Sequence, residues 1–386
     1  MMNSCERVKS VFRGQIPDRV PWGEFAVDSD TVGRIIGRQT YWRAKARSQI
    51  ALWEGRRDEV VKSRKEDAVE FYRKFDMLDI VTMAMATWDA GVAGQRPDAP
   101  QRIDDVTWRS SDGKTYRYSD ISADITMVED PGEWTRPFRE KDFPLPGEDR
   151  WKAPTQPHAS LFEIADALIE AFRGDRFVVG PSGGEIGLPF FNGMQRGMVE
   201  LVENPELVKR MVAHDCAMQN VRDRWFIRPG QDACLWSADY AFNSGPFLSP
   251  EAFRDVMLPS IIERVKSVKA AGQIVIKHCC GNNEKLLPMF VEAGYDCYQS
   301  IQLSAGMELE KVRKLVGPDM VLWGNVPLEV LQSGTPDDVR RVVRKTVESG
   351  KRIGRFIFGS SHSISVGTPY DNFMAMADEF LKIRDY

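Results

Sequence analysis

Short apolar runs alternate with helix-period stretches eight times between Val20 and the end of this 386-residue chain. The runs cover residues 20–27, 78–84, 176–180, 233–238, 273–278, 295–300, 320–325 and 355–359. Strands joined through helices pair in parallel, and eight such units close a (β/α)8 TIM barrel. A doubly wound sheet is the alternative arrangement of the same alternation. Residues 92–157 break the rhythm. Thr107–Tyr118 alternates around Asp112-Gly113, a β-hairpin signal, and a Pro- and Trp-rich segment follows. The block lacks a core-sized apolar run. It reads as an insertion after the second strand of a single domain spanning residues 1–386.

A formal charge of -4 leaves no basic footprint for nucleic acid or for an anionic membrane surface. No run approaches the ~18 apolar residues of a membrane span. The opening Met-Met-Asn-Ser-Cys-Glu-Arg has no apolar signal core. Six scattered cysteines in a chain of this size do not form a disulfide framework, so a reduced cytoplasmic compartment is expected. A homodimer is left open.

The chemistry concentrates in Gln273-Ile-Val-Ile-Lys-His-Cys-Cys-Gly-Asn-Asn283. In an extended chain alternate side chains share a face, so His278 and Cys280 point the same way, with Gly281 turning the chain. Two readings stand: a pair of soft metal ligands at a strand end, or small thiols packed as hydrophobes. Cys279 lies on the opposite face and reads as packing. Lys277 shares that face and is expected to snorkel from the strand end. Glu24, in an otherwise apolar run, is either a site carboxylate or a strand-end charge. Residues 181–187 form a tight loop whose glycines match neither common phosphate-binding spacing, with Glu185 undecided. Asp239 and Tyr240 follow a strand. His158 and His214 receive no role, and the Met-rich 194–218 stretch reads as core.

Taken in order, several pieces together resemble the uroporphyrinogen decarboxylase superfamily. They are Arg7 through Pro21, Ser237-Ala-Asp-Tyr240 with Leu248-Ser-Pro-Glu-Ala-Phe253, and His278-Cys-Cys-Gly-Asn282. Gly324-Asn-Val-Pro327 with Gly334-Thr-Pro336, and Gly359 through His362 to Gly367-Thr-Pro-Tyr-Asp-Asn372, complete the set. The resemblance implies a (β/α)8 barrel. It is closer to the zinc-dependent, corrinoid-linked methyltransferases than to the true decarboxylases. The latter carry an Arg-rich N-terminal loop and an Asp after the second strand. Here those places hold Trp22-Gly-Glu-Phe-Ala-Val27 and Met83-Ala-Met-Ala-Thr87. The methyltransferase branch implies His278 and Cys280 as zinc ligands. Its third ligand is a cysteine after the last strand, where this chain has His362, also a competent ligand. The resemblance further implies methyl transfer between a small methylated substrate or thiol and a corrinoid. No Asp-x-His-x-x-Gly segment occurs, so the corrinoid would sit on a separate partner protein. Glu24, Asp239 and Tyr240 are the expected catalytic residues, and Glu185, Gln299 and Asn325 the expected substrate contacts. The alternatives are a metal-free lyase acting on a tetrapyrrole or other carboxylate, and a binding protein without catalysis.

Overall fold

The structure is a computed structural model that describes residues 2–83, 89–135, 138–190 and 193–386. Seven strands form one parallel sheet: Ile80–Thr82, Phe177–Gly180, Ala233–Trp236, Ile274–His278, Cys297–Gln299, Val321–Val326 and Phe356–Ser360. They neighbour one another in chain order, and helices connect them, including Glu163–Phe172, Pro205–Phe226, Leu258–Ala270 and Pro336–Ile353. The last of these starts at a capping box between Thr335 and Asp338, with Pro336 at its first turn.

The two edges of the sheet are bridged by residues 20–24. Asp79 N–H donates to Trp22 O (2.7 Å), Gly23 N–H to Phe358 O (3.0 Å) and Phe358 N–H to Pro21 O (2.9 Å). The sheet is thereby curled into a TIM-barrel-like form. The expected first strand over 20–27 is reduced to isolated bridges at Trp22 and Val27. The reason is local: Pro21 has no N–H, and the Trp22 N–H donates to the Asp79 carboxylate (2.9 Å) instead of to a neighbouring strand. The expected strand over 78–84 is likewise short, Ile80–Thr82, and residues 84–88 lie outside the described residues.

The strands sort their side chains by parity. Phe177, Val179, Ile276, Cys297, Val321, Trp323 and Ile357 join Val8 and Val11 of the helix Ser4–Phe12 in one buried cluster. Val178, Val275, Tyr298, Leu322, Phe356 and Phe358 face the surrounding helices in a second, larger one. His278 and Gln299 continue the first parity at the carboxyl ends of their strands. The polar helix-period stretch over 30–75 forms three helices: Ser29–Ile36, Lys45–Trp53 and Arg57–Lys74.

Between the first two sheet strands, residues 101–129 form a four-stranded antiparallel sheet. Thr107–Arg109 pairs with Thr115–Ser119 across the Asp112-Gly113 turn. No helix among the described residues is long and apolar enough to cross a membrane.

Asp79 is the polar keystone of the bridge. It is 1 % exposed, accepts from Arg7 Nη1 (2.5 Å) and from Trp22 N–H, and Arg7 itself is 2 % exposed. Asp79→Ala leaves the buried Trp22 N–H without its acceptor and Arg7 with Asp18 (2.7 Å) as its remaining carboxylate. Urea denaturation of this variant is expected to show a loss of about 1–3 kcal/mol; an unchanged midpoint would contradict the assignment.

Candidate metal centre

His278 closes its strand on the inward face, and Cys280 follows two residues on. The expected sharing of a face is seen as a contact: Cys280 Sγ lies 3.2 Å from His278 Nε2. Gly281 makes the turn that follows, at φ +79°, and a Cβ there would come within 2.5 Å of Ala241 O. The loop is tied down on every side. Cys280 N–H donates to Asp239 Oδ1 (2.7 Å), Gly281 N–H to Gln302 Oε1 (2.8 Å) and Asn282 N–H to Phe242 O (2.8 Å). The Asn283 amide donates to the carbonyl of Cys280 (2.8 Å). His362 stands after the last sheet strand. Its donor atom and those of His278 and Cys280 all lie within 4.8 Å of one another.

The tautomer of His278 follows from its neighbours. Gln299 Nε2 donates to Ser360 O (3.3 Å), a group that can only accept. Gln299 therefore turns Oε1 towards His278 Nδ1, which must carry the proton. The Nε2 lone pair is left facing Cys280. Burial, then the neighbouring His362, holds the His278 pKa down to about 3, so the ring is neutral and its lone pair is available. Burial also lowers His362, against the pull of Asp239. Phe25 stacks on His278 with centroids 4.1 Å apart and planes at 19°.

Cys280 is the proton-bearing member: burial, and then Asp239, pushes its thiol up to about 12. The three donors fit a borderline-soft divalent ion. A tetrahedral zinc centre sets N and S donors ~3.3–3.7 Å apart, so one pair here is at the right separation and the third donor closes by about 1 Å. Binding an ion would displace the thiol proton.

The other expected residues are placed as follows. Asp239 is exposed and lines a cavity of about 400 Å³ together with Phe25, His278 and His362. Glu24, Tyr240, Gln299 and Asn325 do not line that cavity. Each is buried because its polar atoms are consumed inside the wall. Tyr240 Oη donates to Ile186 O, and Asn325 Nδ2 donates to Ile301 O (3.2 Å). Glu24 accepts from Trp22 Nε1 (2.6 Å) and from Ser360 N–H (3.1 Å). Ser360 Oγ touches both the Glu24 carboxyl and His362 O. The carbonyl can only accept, so the single hydroxyl proton goes there, and Glu24 must donate to Oγ. This matches a Glu24 pKa raised by burial to about 7.

Glu185 lines a different cavity, and its carboxylate accepts from Ser237 N–H (2.6 Å) and Lys277 Nζ (3.2 Å). Lys277 does not snorkel. It is fully buried, because Glu185, Ala238 O (2.6 Å) and the face of Tyr240 (4.2 Å to its centroid) replace water around the ammonium. Cys279 packs, accepting from Tyr240 N–H.

Sequence reading missed Phe25, Ser360 and the cavity cations Arg43 and Lys45. Phe25 carried a signal, since it adjoins Glu24 in the first apolar run. Arg43 and Lys45 carried none, lying in a charge-rich stretch that reads as solvated surface. They bracket Ala44 at φ 56° and 39° and both pair with the buried Asp28, at 3.0 and 2.9 Å.

With this geometry in place, comparison with known proteins is informative. The profile of the family described as uroporphyrinogen decarboxylase (URO-D) matches residues 191–382. A methylated-thiol--coenzyme M methyltransferase of Methanosarcina mazei is 28% identical over 142 residues, 36% of this chain. The match spans 35% of that relative's length. A solved structure described as a methyltransferase from Methanosarcina mazei superposes with a TM-score of 0.64 at 14% identity, covering 99% of both chains. At that identity the likeness shows a shared fold.

Two measurements check the site's polar logic. Gln299→Leu removes the acceptor that fixes the His278 tautomer, and zinc affinity by chelator competition is expected to fall about 10–100-fold. Unchanged affinity would reject the tautomer argument. Glu24 ionises near 4.5 when unfolded and near 7 when folded, so the native state binds more protons between those values. Its contribution is full below pH 4.5 and is lost as pH rises through 7, by roughly 3 kcal/mol. Guanidinium unfolding across that window should show wild type losing about that much more stability than Glu24→Gln; parallel pH curves would refute it.

Proposed function

We propose that this chain, whose residues 191–382 match the uroporphyrinogen decarboxylase family, is a zinc-dependent methyltransferase. In this reading it moves a methyl group between a small methylated substrate or thiol and a corrinoid carried by a separate protein. The observation that carries the proposal is the convergence of His278, Cys280 and His362 at the barrel mouth, with the His278 lone pair aimed at the Cys280 thiol. The methylated-thiol--coenzyme M methyltransferase of Methanosarcina mazei, matched over 36% of this chain, supports the same reading. The chain is read as one (β/α)8 unit over residues 1–386, with residues 20–24 completing the eighth position and an insertion at 92–157. All six cysteines are unpaired, which supports a reducing compartment such as the cytoplasm.

His278 Nε2, Cys280 Sγ and a ring nitrogen of His362 would hold the ion. Bound zinc supplies a Lewis acid that acidifies a thiol or polarises the heteroatom of a methoxy, methylamine or thioether group. The residues of the chain do the rest. Gln299 holds the Nδ1 proton of His278 and so keeps Nε2 bare. Asp239 fixes the Cys280 N–H through one carboxylate oxygen and stands on the cavity wall, placed to take the proton that a thiol gives up. Glu24, through Ser360, fixes the His362 carbonyl from behind. Phe25 covers the His278 ring and keeps water off it.

The test is elemental analysis of the purified protein and of Cys280→Ser. Zinc at one ion per chain in the wild type is expected, falling at least tenfold in affinity in the variant. Absence of zinc from a folded wild type after zinc loading, or binding indifferent to the substitution, would overturn the proposal.

A further inference from the structure

A second cavity adjoins the proposed metal site. It holds about 250 Å³ and lies at the carboxyl ends of the neighbouring strands Ile80–Thr82, Phe177–Gly180 and Ala233–Trp236. Ser237 belongs to the walls of both this chamber and the mouth cavity that holds His278, His362 and Asp239. The two spaces differ in chemistry. The mouth cavity carries Arg43, Lys45, Asp89, Asp124 and Asp239 on its wall. Among the described residues the chamber is walled by Met83, Val179, Leu235 and Trp236, with Glu185 the one charged residue.

That charge is already spent. The Glu185 carboxylate accepts from Ser237 N–H (2.6 Å) and from the buried Lys277 ammonium (3.2 Å). The Ser182 hydroxyl oxygen is taken by Trp236 Nε1 (2.9 Å). A charged guest would meet no uncompensated opposite charge on the described wall and would be desolvated there at a cost of several kcal/mol. An apolar guest loses nothing. Dry apolar cavities of ~150 Å³ take up benzene, so this volume suffices for a substituted ring.

We propose that the chamber behind Ser237 is the specificity pocket of the site and selects a methyl ether or thioether whose other substituent is an apolar, ring-sized group. This rests on the methyltransferase reading. The methyl–heteroatom bond would lie in the mouth cavity beside His278, Cys280 and His362, and the ring would lie between Val179 and Leu235. Both residues project from strands and are buried or half-buried, so the wall is set by the fold.

The test uses 4-fluoroanisole and its thioether counterpart as probes, against dimethyl sulfide, with binding to the purified zinc-loaded protein followed by fluorine NMR and calorimetry. The aryl probes are expected to bind at least tenfold more tightly than dimethyl sulfide, and the two arms separate oxygen from sulfur. Leu235→Trp fills the chamber and should weaken the aryl probes about tenfold or more while zinc content stays at the wild-type level. Should that variant misfold, wild-type crystals soaked in 4-bromoanisole decide the matter: a bromine anomalous peak among Met83, Val179, Leu235 and Trp236 is expected. A peak elsewhere, no peak, or a folded Leu235→Trp protein that binds as the wild type does would overturn the pocket. Zinc bound without aryl binding defeats the pocket alone. Aryl binding without zinc defeats the metal reading and leaves the pocket standing.

Discussion

The mouth of this protein depends on five residues, 20–24, that bridge the edges of the parallel sheet. A sheet of seven strands leaves two rows of unpaired backbone groups, a standing cost that must be covered. Trp22 and its neighbours cover part of both edges, with bonds to Asp79 on one side and Phe358 on the other. The same segment then delivers the side chains that shape the site. Glu24 reaches Ser360, and Phe25 lies flat on His278. Closure and site adjoin: Glu24 ends the bridging segment and Phe25 follows it directly, the first supporting His362 through Ser360 and the second covering His278.

Polarity inside the wall follows a consistent rule. Behind His278 and His362, buried polar groups meet partners whose own chemistry leaves one choice. Ser360 O can only accept, which orients Gln299, which in turn protonates Nδ1 of His278. His362 O can only accept, which directs the Ser360 hydroxyl and leaves Glu24 as the donor. Two chains of hydrogen bonds thus start from backbone carbonyls and end by fixing proton positions around the donors. Such support behind a ligand, with no free rotor, is what holds a lone pair in one direction.

Most of the architecture was legible because periodicity reports burial. The inward parity of Ile276 and His278, and the outward parity of Val275 and Lys277, follow from alternation alone. Two features escaped for physical reasons. The first strand failed as a ladder because Pro21 lacks a donor and a side chain, Asp79, took the next N–H; a local pattern cannot report a partner 57 residues away. Lys277 was placed on the right face but given the wrong environment. The acid that neutralises it, Glu185, comes from a loop two strands earlier, and its approach is set by tertiary packing. The His-x-Cys spacing placed His278 and Cys280 on one face, where they meet, whereas the apolar chamber left no trace in sequence: Val179 and Leu235 look like any other strand residues.

In the zinc reading proposed above, a histidine at position 362 would do more than supply a third donor. Two neutral imidazoles and one thiolate carry a single negative charge, whereas a set with two thiolates carries two. Around a divalent ion the first set would leave a net charge of +1 and the second none. In a largely buried pocket that difference is weakly screened, so a His-Cys-His set would supply the stronger Lewis acid. A thiolate held this way would be a poorer nucleophile, because nucleophilicity falls as basicity falls. An ether or thioether would gain instead, since a polarised heteroatom is the better leaving group. On that reading the donor set would favour demethylation of a bound substrate over methylation of a bound thiol. The proposed apolar chamber would suit the same direction, because it would hold the part of a methyl donor that carries no charge.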